Sequence, residues 1–260
     1  MPGHIFDGLD GRSRSNKPRT TGQTMVVDWG MGPHAQLDML VTGAEYADFA
    51  KVAVGISRLL SNDVLVDKVR TYKNYGVEPF PGGQYLEYAE VEGKADHYIP
   101  AVRDAGYSWI EVSDNLGAVS LEWKLKMISE GRRNELKVFG EVGKKEGLGS
   151  SVSMVDDAAA CLDAGSDIIL LEAAELIDDD ADTAAAVEAV VEKIGLNRVM
   201  FELPGPWIEG VSTALIHHMR RQLVDRYGPD VNVGNVDPNE VISFEAYRQG
   251  LGVNAGKAED

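Results

Sequence analysis

The stretch TMVVDWG at Thr24–Gly30 is a short apolar run that reaches an acidic residue and ends at glycine. Seven more runs of this kind follow along the chain: FAKVAVG at Phe49–Gly55, VEPFPGG at Val77–Gly83, YSWIEVSD at Tyr107–Asp114, KVFGEVGKK at Lys137–Lys145, DIILLEA at Asp167–Ala173, RVMFELPG at Arg198–Gly205 and VNVGNVD at Val231–Asp237. Short runs rich in β-branched or aromatic residues are typical of strands buried on both faces of a parallel sheet. The runs therefore predict eight parallel strands.

Segments with helical periodicity lie between these runs. Strict alternation of strand and helix predicts right-handed crossovers, and eight such units in about 250 residues are the usual size of a closed barrel. An open doubly wound sheet is the alternative, but its dinucleotide-binding form usually carries G-x-G-x-x-G after the first strand, which is missing here. We predict an α/β fold, a single-domain (β/α)8 TIM-type barrel over residues 23–252, with a polar, partly basic arm at 1–22 and a tail at 253–260.

The composition of the 260-residue chain, with 44% apolar residues, is that of one soluble domain with a large core. No apolar stretch approaches the roughly 18 residues that cross a bilayer, and the amino terminus has no signal-like apolar region, so we expect a cytoplasmic protein. The formal net charge of −17 repels nucleic acid and anionic membranes, so neither is an expected partner. The single cysteine, Cys161, lies in the apolar phase of a predicted helix at Asp156–Ala164, which favours an inert core thiol over a nucleophile.

The amino-terminal arm carries four basic residues among Ser, Asn, Thr and Gly: Arg12, Arg14, Lys17 and Arg19. Its composition predicts a disordered or loosely packed segment. The alternative is a basic arm that folds over an anionic site or over a neighbouring subunit.

Polar residues stand at or near the ends of most predicted strands: Asp28, Lys51, Glu111, Asp114, Glu141, Lys144, Glu172, Glu202, Asn232 and Asn235. Active sites of barrels lie at the carboxyl ends of the strands. Charged side chains inside apolar strands are costly unless they are paired or bind a metal, so a ring of structural ion pairs is the alternative. The set is typical of an oxygen-donor site for Mg²⁺, whereas the five histidines form no cluster that would favour zinc.

At these strand ends the chain resembles the phosphosulfolactate synthases of coenzyme M biosynthesis. The shared motifs occur in family order from residue 17 to about residue 252: KPR at Lys17–Arg19, TMVVD at Thr24–Asp28, PGG at Pro81–Gly83, IEVSD at Ile110–Asp114, EVGKK at Glu141–Lys145, DAG-x-D at Asp163–Asp167, GP-x-VN at Gly228–Asn232 and EVIS at Glu240–Ser243. IEVSD and EVGKK are specific as a pair, although each alone would be weak.

The resemblance implies a barrel enzyme, often a homo-oligomer, that uses Mg²⁺ to add sulfite to phosphoenolpyruvate, so its partners would be small anionic substrates. By position in EVGKK, it implies that Lys144, or alternatively Lys145, acts as the acid, with Glu141 beside it as a catalytic residue. The implied metal or supporting carboxylates are Asp28, Glu111, Glu141, Glu172 and Glu202. The implied substrate-binding residues are Arg19, Lys51, Ser113, Asn232, Asn235 and Arg248.

The chain also departs from the family pattern where basic residues are expected. The family reads D-K-G after strand one and E-A-P-Q-K after strand seven, where this chain has Asp28-Trp29-Gly30 and Glu202-Leu203-Pro204-Gly205-Pro206. Four or five cationic positions are missing in all. Three hypotheses follow: a phosphosulfolactate synthase with anion contacts rebuilt through Arg220, Arg221 or Arg226; a divergent lyase with a less anionic substrate or another nucleophile; and a non-catalytic relative that serves stress protection or interaction.

Overall fold

The computed structural model describes residues 5–6, 11–115, 119–143, 153–173 and 181–252. Each predicted run contains one strand: β1 (Thr24–Asp28), β2 (Phe49–Val52), β3 (Glu78–Pro81), β4 (Trp109–Val112), β5 (Lys137–Val142), β6 (Ile168–Glu172), β7 (Val199–Glu202) and β8 (Val233–Val236). All the paired strands are parallel. The prediction of a single-domain (β/α)8 barrel is confirmed.

Helices fill the connections between strands. They are α1 (Pro33–Gly43), α2 (Ile56–Leu59), α3 (Asn62–Asn74), α4 (Gln84–Val91), α5 (Ala95–Asp104), α6 (Leu121–Arg133), α7 (Met154–Ala164), α8 (Ala181–Ile194), α9 (Thr213–Tyr227) and α10 (Val241–Arg248). Three of them begin after a serine whose hydroxyl accepts a hydrogen bond from a first-turn N–H: Ser120 before α6, Ser153 before α7 and Ser212 before α9. Such caps satisfy donors that a helix start leaves free. No helix of the described residues is both long and apolar enough to cross a membrane.

The strands follow one another around the barrel in the order β3-β2-β1-β8-β7-β6-β5-β4. β3 and β4 lie side by side, but no hydrogen-bonded ladder joins them within the described residues. The cause lies in β3. The N–H groups of Glu78 and Gly82 donate to the carbonyls of Asp48 and Val52, on the β2 side. The backbone groups of the alternate residues, Pro79 and Pro81, therefore point toward β4. Because proline has no N–H, this side of β3 lacks donors for a ladder.

The barrel interior near the amino ends of the strands, which we call the lower end, is filled by an apolar cluster. This cluster, which we call the floor, comprises Met25, Phe49, Phe80, Trp109, Phe139, Ile168, Leu170 and Met200. Its aromatic rings pack closely, with the ring centroids of Phe80 and Trp109 each 4.6 Å from that of Phe139. A second apolar layer lies between strands and helices and includes Cys161, which is fully buried in α7 as predicted. This floor limits a polar site to the space above it.

The amino-terminal arm packs against the lower end of the barrel. The Arg14 guanidinium is buried and contacts Glu245, Asp48 and the Gly22 carbonyl, and the Lys17 ammonium donates to the carbonyls of the loops below β2 and β3. The expectation of a disordered or loosely packed segment is therefore wrong for residues 11–22, because its cations satisfy backbone and carboxylate oxygens at the amino ends of the strands.

Candidate active site

The polar site follows from the two-residue period of the strands. Side chains two residues apart lie on the same face of a strand, so the residue two places beyond each floor residue also faces the interior. Phe49, Trp109, Phe139, Leu170 and Met200 of the floor are each followed at that spacing by a charged residue. These residues are Lys51, Glu111, Glu141, Glu172 and Glu202, which we call the charged layer. The layer lies one step nearer the carboxyl ends of the strands.

Lys51 is the centre of the charged layer. Its Nζ lies 2.8 Å from Glu111 Oε2 and 2.5 Å from Glu202 Oε1. Burial disfavours the charged ammonium, but the carboxylates of Glu111, Glu202 and Glu141 outweigh that effect and raise the pKa of Lys51. The side chain therefore remains a cation that compensates its acidic neighbours, which suits it poorly to donate a proton.

Three carboxylates of the layer could hold a metal ion. One oxygen from each of Glu141, Glu172 and Glu202 lies within 4.8 Å of the others. Burial, and then the neighbouring carboxylates, raise the pKa of Glu141 well above its ordinary value, and burial likewise raises the pKa of Glu202. A group of converging carboxylates that resist ionisation is the donor set that a hard divalent cation fits, because the cation supplies the missing positive charge.

Glu141 is held by a chain of contacts from α4. The Asn115 side-chain amide donates to Glu141 Oε1 at 2.8 Å. The backbone N–H of Asn115 donates in turn to the buried Glu87 carboxylate at 3.1 Å, and the Ser113 hydroxyl donates to the same oxygen of Glu87. Glu87 thus fixes the loop after β4 that carries Asn115. Neither Glu87 nor Asn115 was predicted as a site residue, since their roles depend on the path of this loop.

A cavity of about 160 Å³ opens above the charged layer. Its walls include all five residues of the layer together with Trp29, Asn115, Trp207 and Asn235. Asn235 donates from Nδ2 to the Leu203 carbonyl at 3.3 Å, while its buried Oδ1 has no hydrogen-bond partner among the described residues. The cavity therefore presents mainly acceptor oxygens, which suits a cation or a ligand with donors.

Asp28, predicted as a metal ligand, lies apart from this group. Val27 lines the cavity, so the neighbouring Asp28 points outward, toward α3. Its Oδ2 accepts from Lys68 Nζ at 2.5 Å and from the Tyr72 hydroxyl at 2.7 Å. Its Oδ1 accepts from two backbone N–H groups of the following loop. With both oxygens engaged and fully buried, Asp28 anchors a loop and does not join the three-carboxylate cluster.

Three predicted substrate-binding residues lie at the opposite end of the barrel. The Arg19 Nε lies 3.1 Å from Asp48, at the start of β2. Asn232 bonds the Gln23 N–H and the Val199 carbonyl, and fully buried Arg248 donates to the carbonyls of Pro229 and Val231. The structure thus places Arg19, Asn232 and Arg248 away from the charged layer, because they bond Asp48 and backbone groups at the amino ends of the strands.

The remaining predicted residues divide into three groups. Lys51, Glu111, Glu141, Glu172, Glu202 and Asn235 meet at the cavity. Ser113 directly follows β4, and its hydroxyl donates to Glu87. Lys144 and Lys145 lie outside the described residues.

Comparison with known proteins agrees with the motifs. The family model for (2R)-phospho-3-sulfolactate synthase matches residues 12–254. The phosphosulfolactate synthase of Methanothermobacter thermautotrophicus is 31% identical over 249 residues, covering 92% of each chain. That of Methanocaldococcus jannaschii is 30% identical over 241 residues, covering 88% of this chain and 92% of the relative. That of Bacillus subtilis is 26% identical over 249 residues, covering 92% and 93%.

Solved structures agree on the fold alone. A 3-hexulose-6-phosphate synthase matches with a TM-score of 0.51 at 14% identity, over 87% of this chain and 98% of that one. KGPDC from Streptococcus mutans matches with a TM-score of 0.53 at 11% identity, over 88% and 94%. Because the family model spans nearly all of the chain and two relatives reach 30% identity over most of it, the chain belongs to the (2R)-phospho-3-sulfolactate synthase family.

Proposed function

We propose that this chain is a magnesium-dependent lyase that adds sulfite to phosphoenolpyruvate. The observation that carries the proposal is the cluster of Glu141, Glu172 and Glu202 above an apolar floor, in a chain of this family. A divalent cation bound there would polarise the substrate carboxylate and stabilise the negative charge that develops as the double bond is attacked.

The chain's own residues would do the rest. A carbon–sulfur bond forms at the terminal carbon of the enol phosphate, the double-bond electrons move to the carbon that bears the phosphate, and that carbon then takes a proton. Lys51 is bound between two carboxylates and has a raised pKa, so it would balance charge and orient Glu111 and Glu202. The proton is assigned to Lys144 by the family resemblance, with Lys145 as the alternative.

The direct test incubates the full-length chain with phosphoenolpyruvate, sulfite and Mg²⁺, and follows the loss of enol phosphate absorbance. Activity should disappear with chelator, in Lys144→Ala and in Glu172→Gln. Glu130→Gln is the matched control, because Glu130 lies on α6 in a surface ion pair with Arg133. If phosphoenolpyruvate is not consumed at millimolar concentration, the proposed reaction is refuted.

A second candidate is the same chemistry on a less anionic substrate. Lys51 is the only cation among the described residues that line the cavity, and two carboxylates already hold it. The arginines considered as replacements are engaged elsewhere: Arg220 pairs with Glu240, Arg226 pairs with Glu188, and Arg221 packs on Tyr247. If phosphoenolpyruvate is not consumed but a 2-oxo acid binds in a Mg²⁺-dependent way, this candidate replaces the first.

We also propose that the chain forms a homo-oligomer, as the resemblance implies. A largely apolar pocket of about 480 Å³ lies between α2 and α5 and is lined in part by Tyr88, which is half exposed. Leu59 and Val91, next in sequence to lining residues, are also exposed. Exposed apolar clusters of this kind commonly mark contact surfaces. Light scattering of the purified chain gives the mass directly, and a monomer at micromolar concentration would refute an oligomer.

A further inference from the structure

Two indole rings face each other at the mouth of the cavity. Trp29 follows β1 and Trp207 lies in the loop after β7, and both line the cavity above the charged layer. Their ring centroids are 4.9 Å apart at an interplanar angle of 57°. Each side chain is about half exposed, at 46% and 48%. The pair therefore presents a large apolar surface to anything that enters between solvent and the carboxylates.

The local backbone holds both rings in place. Asp28 Oδ1 accepts from the N–H groups of Gly30 and Met31 at 2.8 and 2.7 Å, which fixes the turn that carries Trp29. Trp207 folds back over Gly205, where an added Cβ would lie 2.0 Å from the ring. Only glycine leaves room for that packing. Two separate loops thus position the two indoles, which indicates a shaped surface rather than a pair of stray exposed side chains.

The charges beneath the rings limit which groups can lie there. The described cavity residues comprise four carboxylates and one lysine, so even with a divalent cation bound and all four carboxylates ionised the layer carries no excess positive charge. An indole face carries the negative side of its quadrupole and repels an anion, whereas it packs well on an apolar surface. A phosphate beside Trp29 and Trp207 would meet no cation among the described residues except Lys51, which is already paired. A cationic group would share the cavity with Lys51 and the metal ion.

We propose that Trp29 and Trp207 form a subsite for an uncharged group with an apolar face, carried by a small 2-oxo or enol carboxylate. The carboxylate end of the ligand would lie toward the divalent cation that Glu141, Glu172 and Glu202 would hold, and its substituent would lie against the two indoles. This inference rests on the second candidate function, in which the metal chemistry is kept and the substrate is less anionic. It adds the chemical class of the substituent and the residues that select it.

The test measures binding by titration calorimetry on the full-length chain with Mg²⁺, using pyruvate, phenylpyruvate and phosphoenolpyruvate as probes. Phenylpyruvate should bind about tenfold more tightly than pyruvate, because a stacked aromatic contact adds to the burial of the ring. Trp207→Ala should remove that gain, so that phenylpyruvate and pyruvate bind with similar affinity. Trp29→Lys should shift the preference toward phosphoenolpyruvate. Trp123→Phe, on α6 and outside the cavity, is the control variant, and near-ultraviolet circular dichroism checks the fold of each.

The outcomes separate this inference from the function on which it rests. Equal binding of pyruvate and phenylpyruvate, or a gain that survives in Trp207→Ala, overturns the subsite and leaves the metal site standing. Tighter binding of phosphoenolpyruvate than of phenylpyruvate by the wild-type chain also overturns it. If no probe binds in a Mg²⁺-dependent way, the subsite and the proposed metal chemistry both fail.

Discussion

At the scale of single residues, Lys51 keeps several buried carboxylates together. Lys51→Met leaves Glu111 and Glu202 without their cation, and breaking a buried ion pair costs about 3–5 kcal/mol. Urea unfolding should show a loss of this size, and added Mg²⁺ should restore part of it by supplying positive charge. The control Arg70→Met breaks an exposed pair with Asp67 and should change the unfolding free energy by less than about 1 kcal/mol. Equal effects of the two variants would contradict this account.

The buried thiol of Cys161 predicts how stability and thiol reactivity depend on pH. Burial raises the pKa of its thiol to about 12 from an ordinary value of 9.0, although nearby Lys124 acts in the opposite sense. Since the folded state disfavours the thiolate, the stability associated with this group is complete below pH 9 and declines as the pH rises toward 12. Native protein at pH 9 should react with iodoacetamide at least about a hundredfold more slowly than protein in urea. Comparable rates would show that the thiol is accessible.

The sequence could predict the charged layer because the two-residue period extends from the apolar floor to the residue above it. Adjacent residues of a strand face opposite sides, so the outward orientation of Asp28, next to the inward-facing Val27, could also be predicted. Strand direction alone separates Asn232, at the start of its run, from Asn235 near the end. The pairing of Trp29 with Trp207 was not readable, because it depends on where two distant loops meet.

At the scale of elements, α4 supports the three-carboxylate cluster of Glu141, Glu172 and Glu202 from outside the barrel. Glu87→Ala removes the acceptor that holds Ser113 and the Asn115 N–H, so Asn115 is no longer fixed against Glu141. Mg²⁺ affinity, measured by calorimetry, should fall about tenfold or more, as expected when a group that orients a ligand is lost. Glu87→Gln retains an acceptor and should lose less. Glu90→Ala, an exposed residue of the same helix, should leave the affinity unchanged. An equal loss in the two alanine variants would exclude the positioning role.

The amino-terminal arm gives a stability prediction. Arg14→Met leaves the buried carboxylate of Glu245 without its partner, so the unfolding free energy should fall by about 3–5 kcal/mol. Arg12→Met provides a control in the same arm, because Arg12 is exposed, and should have little effect. The many basic and small residues of the arm predicted disorder. In the fold, however, Asp48 and backbone carbonyls at the lower end of the barrel bind the basic side chains. If Arg14→Met has the same unfolding free energy as the wild-type chain, the arm does not stabilise the barrel.

At the scale of the whole molecule, the net charge of −17 acts against the compact state. Salt screens this self-repulsion over a Debye length of about 10 Å at 0.1 M, so the thermal midpoint should rise between low and moderate ionic strength. Sodium chloride and choline chloride should act alike, since both screen charge and choline is too large for a site made of three carboxylates. A rise with sodium alone would indicate specific cation binding instead.

The barrel itself was predictable because eight runs of similar length alternate with helices, and the structure places one strand in each. The run VEPFPGG also shows that two positions of this strand lack a backbone donor. The sequence does not show which neighbouring strand those positions face, so the missing ladder could not be predicted from it. Glu78 and Gly82 bond toward β2, and this fixes the prolines on the β4 side.

The seam between β3 and β4 also bears on how the protein behaves when concentrated. A strand edge without a partner ordinarily offers N–H and C=O groups to a strand of another molecule, and sheets that join in this way grow into fibrils. Pro79 and Pro81 remove the donors from that edge, so a foreign strand that approached β3 would find no ladder to extend. Within the described residues, the two prolines that leave β3 without a ladder to β4 therefore also make β3 a poor template for a strand of another molecule.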